Sequence, residues 1–115
     1  MKVIDRTSFL DTFHYFDKEI VVEIIDIFIN EYPDRMNAIK NDIEKLDFNA
    51  LKFDAHSIKG VIANFVAARP LHLARELEIK GSEKDANDLH RIFAELQIAG
   101  SDLVEDLKVL RPDFI

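Results

Sequence analysis

The stretch Ala55-His56-Ser57-Ile58-Lys59-Gly60 lies inside a helical pattern that extends from Asn49 to about Val66. Apolar residues recur along this pattern at spacings of four, three, four and three, which is typical of one buried helix stripe: Leu51, Ala55, Ile58, Ile62 and Phe65. At 3.6 residues per turn, His56 lies about 150° around the helix from the middle of that stripe. The pattern therefore predicts a helix that buries one side and points His56 into solvent.

Gly60 lies one turn after His56 on the same outward side, and Lys52, Lys59 and Ala63 flank this surface. A glycine inside a helix costs on the order of 1 kcal/mol relative to alanine. Its presence here predicts that something large approaches the helix closely beside His56.

The segments before this helix also have helical periodicity. A short amphipathic helix is expected from Asp5 to about His14, with Phe9, Leu10 and Phe13 on its apolar side. A second helix is expected from its cap Asp17 to about Glu31, and a third from about Asp34 to Leu46. Pro33 is expected to start or kink the third helix, because proline is tolerated in a first turn and disrupts a helix interior.

After the His56 helix, Pro70 suits the first turn of a fifth helix, which Gly81 is expected to end. Ser82 and Asp85 resemble a capping box for a last helix from about Asp85 to Leu110, which Pro112 closes. No alternating run predicts a strand. Short connections favour antiparallel neighbours, so we predict an all-α fold. It would be one domain over residues 1–115, an antiparallel four-helix bundle with a short N-terminal helix packed on it.

The composition excludes several functions. A formal net charge of −7 argues against nucleic-acid binding, and the absence of cysteine excludes disulfides and thiolate chemistry. The most apolar stretch, from Ile20 to Ile29, contains Glu23 and Asp26 and is too short to span a bilayer, so we expect a cytoplasmic protein without membrane contact. The three glycines are far apart, so no phosphate-binding loop forms and no intrinsic ATP-dependent kinase activity is expected.

The stretch around His56, followed by Asn64 and Leu73-Ala74-Arg75-Glu76-Leu77-Glu78, resembles the histidine-containing phosphotransfer (HPt) domain of two-component phosphorelays. The resemblance extends from about Asp17 to about Leu110. It implies that Nε2 of His56 accepts a phosphoryl group from the phospho-aspartate of a receiver domain and passes it to another receiver, through a covalent phosphohistidine.

The resemblance also implies roles for the neighbours of His56. Lys59 would compensate the charge of the phosphoryl oxygens, and receivers would dock on Lys52, Phe53, Ser57, Gly60, Ala63 and Asn64. The chain would need no metal or cofactor of its own, because the receiver supplies Mg²⁺. The expected partners are the receiver domains of a hybrid sensor histidine kinase and of a response regulator.

Several alternatives remain open from the sequence. Phe53 is either an exposed docking rim or, as the favoured interpretation, packs under the first helix with Phe9 or Phe13. The chain is alternatively a non-catalytic module that binds receivers without carrying phosphate. A di-iron bundle needs paired Glu-x-x-His motifs, and only Asp11 and His14 come near one. The chain also departs from the HPt pattern, which commonly has glycine at the position of Val66 and a larger apolar residue at that of Pro70.

Overall fold

The structure is a computed structural model that describes residues 2–115, and this part of the chain is helical with no strand. Its α-helices are α1 (Arg6–Thr12), α2 (Lys18–Lys45), α3 (Phe48–Ile62), α4 (Ala68–Glu83) and α5 (Leu89–Leu110). Short 3₁₀ turns follow α3 at Ala63–Phe65 and α5 at Arg111–Phe114. Helices α2 to α5 form an antiparallel bundle about 42 Å long, so the predicted fold class is confirmed.

The bundle core is apolar, with no polar or charged residue buried anywhere in residues 2–115. At the end of the bundle that carries α1, Phe9 lies 6.4 Å from Phe65 between ring centroids, and Phe28 lies 5.2 Å from Phe65. Such aromatic contacts add to the free energy of burying the rings. The short first helix therefore packs on the bundle through Phe9, as its periodicity predicts.

The prediction of separate second and third helices is wrong, because α2 continues through Pro33 to Lys45. Pro33 is exposed, so its ring lies on the solvent side of the helix. Proline has no N–H to donate, and the carbonyl that loses this hydrogen bond can bind water there instead. Phe28, Met36 and Ile39 are buried on either side of it. Their packing against the other helices keeps α2 continuous across the proline. This packing cannot be predicted from the periodicity of one helix alone.

The prediction that Gly81 ends α4 is wrong, and so is the prediction that Ser82 and Asp85 cap α5. Helix α4 continues to Glu83 and ends at Lys84 in the left-handed conformation, and α5 begins only at Leu89. Gly81 is buried against α3, where an added Cβ would lie 2.7 Å from the backbone nitrogen of Lys52. The glycine therefore permits a close approach of two helices and has no role as a cap.

Helix α5 continues without a break through Gly100, which is buried. An added Cβ at Gly100 would lie 2.5 Å from the hydroxyl oxygen of Tyr32, whose hydroxyl donates to the carbonyl of Gln97 at 3.3 Å. This glycine makes room for the ring of Tyr32 from α2.

Val66 takes the left-handed conformation, with φ of 54°, in the connection between α3 and α4. A β-branched residue is strained in this region, and glycine adopts it freely. The departure from the HPt pattern at this position therefore has a physical meaning, because the pattern's glycine suits the conformation that Val66 is forced to adopt. Pro70 lies in the first turn of α4, as predicted, and it is buried there.

Asp42, near the end of α2, is the most perturbed acid in the described chain. Partial burial, a hydrogen bond with the Asp54 carboxyl on α3, and the charges of Asp54 and Asp47 raise the pKa of Asp42 to about 7, against a smaller opposing effect of Lys45. Its Oδ2 is buried and faces no donor among residues 2–115. The ionised form of Asp42 is therefore disfavoured at the α2–α3 contact, where a second carboxyl group lies beside it.

This pair predicts how the free energy of unfolding depends on pH. Between pH 3.8 and about 7 the folded chain binds the proton more tightly than the unfolded chain, so the pair's contribution to stability falls as the pH rises through that window. Asp42→Asn keeps the shape and removes the titration. We expect it to stabilise the fold by about 1–2 kcal/mol at pH 8, after allowance for partial solvent screening, and by almost nothing at pH 4. Urea unfolding of both proteins at the two pH values measures this, and equal differences at both would contradict it.

Candidate functional site

His56 is placed by the way α3 begins and packs. The side chain of Asp47 accepts a hydrogen bond from the backbone N–H of Ala50 at 3.1 Å and caps the helix. The predicted apolar stripe of α3 is buried against the bundle. This register turns His56 outward, and its side chain is 68% exposed, as the periodicity predicts.

The His56 ring is held from one side by a carboxylate. Its Nδ1 lies 2.9 Å from Oε2 of Glu78 on α4, and Oε1 of the same carboxylate pairs with the ammonium of Lys59. An ionised carboxylate only accepts hydrogen bonds, so Nδ1 carries the ring proton. The lone pair of the neutral ring is then at Nε2, which points away from Glu78.

Glu78 remains ionised at neutral pH. Its hydrogen bond from Lys59, with a further one from His56 and the charges of both, holds the pKa of Glu78 below its usual value, although burial opposes this. The half-buried ammonium of Lys59 therefore neutralises the carboxylate that orients the ring. Lys59 stands next to His56 as a paired cation.

Glu78 belongs to the motif Leu73-Ala74-Arg75-Glu76-Leu77-Glu78, but its contact with His56 was not predicted from the sequence. A signal for this role was available. Glu78 follows Leu77 directly and lies three residues before Gly81, both of which are buried positions of α4. A carboxylate at the edge of a buried stripe faces the neighbouring helix, and the close contact of Gly81 with α3 brings it within reach of His56.

The other predicted docking residues surround His56 on the outer side of α3. Lys52, Ala63 and Asn64 are exposed, and a Cβ added at Gly60 would meet nothing within 4 Å. Phe53 is 74% exposed, so the prediction that it packs under the first helix is wrong. Because α1 lies at the far end of the bundle, beside Phe65, the ring of Phe53 has no apolar neighbour there to join.

An open cleft of about 350 Å³ adjoins His56, and its lining residues are Asn49, Lys52, Phe53, His56 and Glu78. An apolar ring, a cation and the imidazole thus border the same opening. The geometry suits a partner surface that approaches along α3 and reaches Nε2 from outside.

Ser57, one of the predicted docking residues, faces α2. No functional residue was predicted on that helix. Its hydroxyl oxygen accepts a hydrogen bond of 2.6 Å from Nη1 of Arg35, whose Nη2 donates to Glu31 at 3.2 Å. A second ion pair therefore lies on the opposite side of α3 from Lys59 and Glu78.

Two further features of the described chain bear on the alternatives. Within the described part of the chain, no group of three or more histidine, aspartate or glutamate residues is arranged to hold a metal ion. No helix among residues 2–115 combines the length and the apolar character needed to cross a membrane.

The helical bundle thus presents an exposed histidine, held by the carboxylate of Glu78, beside a glycine of the same helix, and these are among the residues on which the resemblance to phosphotransfer modules rests. A comparison with protein-family models matches the Hpt domain over residues 23–108, and the chain belongs to this family. Neither curated proteins nor solved structures give a match. Membership of the family confirms the resemblance seen in the sequence and gives the chain a phosphotransfer role in two-component signalling, with receiver domains as partners.

Proposed function

We propose that His56 is the phosphoacceptor of a phosphorelay intermediate that takes a phosphoryl group from one receiver domain and passes it to another. The observation that carries the proposal is the placement of the ring, which is 68% exposed, is hydrogen-bonded to Glu78 through Nδ1 and lies one turn from the unobstructed Gly60, so that Nε2 is left for a partner. The receivers are those of a hybrid sensor kinase and of a response regulator.

The proposed reaction has two steps. The lone pair on Nε2 attacks the phosphorus of an aspartyl phosphate, the bond from phosphorus to the aspartate oxygen breaks, and the aspartate leaves as a carboxylate. In the second step a carboxylate of another receiver attacks the phosphorus, and the bond to Nε2 breaks. The ring proton stays on Nδ1 throughout, where Glu78 stabilises the cationic phosphoimidazole. The Mg²⁺ that such receivers hold offsets the charge of the phosphoryl oxygens.

The neighbours of His56 have separate roles in this proposal. Lys59 compensates charge, because its ammonium lies beside the carboxylate and within one turn of the ring. Gly60 keeps the approach to Nε2 open. Receivers dock over the outer side of α3, which carries Lys52, Phe53, Ala63 and Asn64, with Ser57 at its edge.

Transfer from a labelled receiver tests the proposal. Receiver domains phosphorylated with labelled acetyl phosphate and Mg²⁺ are mixed with the wild-type chain, with His56→Gln and with His72→Gln. His72 is a matched control, because it is also exposed and its Nε2 lies 2.8 Å from Glu76. We expect acid-labile, base-stable label on the wild type and on His72→Gln, and none on His56→Gln. Receiver binding without label on the wild type would favour the non-catalytic module.

Gly60 provides a second test, because stability and transfer should respond in opposite directions. Gly60→Ala should raise the free energy of unfolding by up to about 1 kcal/mol, since alanine favours the helix and its Cβ meets nothing.

Gly60→Gln should slow transfer from the receiver by roughly tenfold or more without loss of helix, because the longer side chain obstructs the partner. Circular dichroism and the labelled transfer assay measure the two effects. Normal transfer by Gly60→Gln would place receiver docking elsewhere.

A further inference from the structure

Arg35 is a half-buried cation on the α2 side of α3. Its side chain is 27% exposed, and it is held by Ser57, the residue directly after His56, and by Glu31 one turn earlier on α2. These two hydrogen bonds use two of the five N–H groups of the guanidinium. The group is therefore fixed in position beside the phosphoacceptor helix and keeps donors for a further acceptor.

The surroundings of Arg35 are open and acidic. Two clefts follow the α2–α3 groove, one lined by Glu31, Asp34, Arg35, Ala38 and Asp54, and the other running from Arg35 towards Ile24, Ile27 and Asn64. Among residues 2–115, Arg35 is the one cation that lines either cleft. Any acceptor that enters the groove from outside can meet a positive charge at this point.

The ion pair of Arg35 with Glu31 is weak, so it leaves the guanidinium able to bind a second carboxylate. It joins residues four apart on a partly exposed helix face, and such pairs contribute only a fraction of the free energy of a buried one. A planar guanidinium binds a second carboxylate in a two-bond geometry that a lysine ammonium cannot reproduce. The arrangement thus suits recognition of a carboxylate on a partner, with Ser57 and Glu31 as supports.

We propose that Arg35 is a specificity-determining contact for the receiver and binds a carboxylate on the rim of its active site. This inference rests on the proposed function, because it needs a receiver seated over His56. A partner centred on Nε2 and Gly60 extends over both flanks of α3. On the α4 side it meets the Lys59–Glu78 pair, and on the α2 side it meets Arg35. Because Glu31, Asp34 and Asp54 line the same groove, a carboxylate of the receiver is accepted only where it reaches the remaining N–H groups of Arg35, and this restricts which receivers fit.

Binding and transfer are measured separately to test this. The first measurement is the Kd for receiver domains with Mg²⁺ and beryllofluoride, which imitates the aspartyl phosphate, in a His56→Gln background where no transfer occurs. Arg35→Ala should raise the Kd about tenfold, and Arg35→Lys should give an intermediate value. Arg91→Ala is the matched control, because Arg91 pairs with Glu95 four residues along α5, away from His56, and should leave the Kd unchanged.

The second measurement separates partner binding from the chemistry of the histidine. With His56 intact, Arg35→Ala should raise the KM for the phosphorylated receiver about tenfold and leave kcat within about twofold. Phosphorylation by phosphoramidate, which involves no receiver, should proceed at the wild-type rate. Ser57→Ala, which removes one support of Arg35, should raise the KM only about twofold, whereas a merely structural role of Arg35 would give the two variants equal losses.

Three results would overturn the inference: an unchanged Kd in Arg35→Ala, equal losses in Arg35→Ala and Arg91→Ala, or slower reaction with phosphoramidate, which would place Arg35 at the phosphoryl group. A receiver that binds through Arg35 but leaves no label on the wild-type chain would contradict the phosphotransfer proposal and leave the Arg35 contact standing. The two proposals can therefore fail independently.

Discussion

Glu78→Ala is expected to slow phosphotransfer through His56 by roughly ten- to a hundredfold while the bundle stays folded. The carboxylate fixes the proton on Nδ1 and the orientation of the ring, and the expected size is that of losing the partner which orients a metal-binding histidine, the comparable case of a ring held through its second nitrogen. Without it the ring rotates and samples the tautomer that has its proton on Nε2, which cannot attack phosphorus.

Glu78→Gln makes this test sharper because it keeps the size of the side chain. The amide can donate to Nδ1 as well as accept from it, so part of the population holds the proton on Nε2 and transfer should be slowed, although less than in Glu78→Ala. Glu76→Ala is the matched control, because Glu76 contacts His72 on the same helix. Rates come from single-turnover transfer of label from a receiver. Equal rates for Glu78→Ala and Glu76→Ala would show that ring orientation does not limit the reaction.

Gly81→Ala is expected to destabilise the fold by about 2 kcal/mol, which corresponds to a decrease in Tm of roughly 10 °C. The new Cβ would lie 2.7 Å from the backbone nitrogen of Lys52 and 3.0 Å from its Cα. Backbone atoms of α3 cannot rotate away as a side chain can. Helices α3 and α4 must therefore separate, and this cost exceeds the gain of about 1 kcal/mol from the helix propensity of alanine.

Urea unfolding measures this effect, with two other glycines of the same chain as controls. Gly60→Ala should be stabilising because its Cβ is unobstructed, and Gly100→Ala should cost less than Gly81→Ala because its Cβ meets the end of the Tyr32 side chain. A Gly81→Ala variant as stable as the wild type would contradict the close helix contact. Since that contact also brings Glu78 to His56, Gly81→Ala should slow transfer as well.

The register of α3 could be predicted from the sequence, because one regular apolar stripe is enough to orient a helix. That stripe correctly placed His56 in solvent. The continuity of α2 could not be predicted, because Pro33 is a strong local signal and the packing that overrides it comes from other helices. Gly81 was misread for the same reason. A glycine near the end of a helical pattern indicates a cap locally, and only the neighbouring helix reveals that it is a contact.

The supports of the site were the part that the sequence did not reveal. Glu78 and Arg35 lie 22 residues from His56 and from Ser57, respectively, on two different helices. The distances between these side chains depend on how α2, α3 and α4 pack, which a periodicity within one helix does not contain. Phe53 shows the converse error, since an aromatic ring off the main stripe was assigned to a core that does not extend to it.

The most direct test of this account is the position of the phosphoryl group on the phosphorylated chain, determined by NMR correlation of ³¹P with the ring protons and nitrogens. We expect a single phosphohistidine at position 56, with the phosphorus bonded to Nε2 and the proton retained on Nδ1 beside Glu78. Phosphorus bonded to Nδ1, or found on any other side chain, would contradict the account.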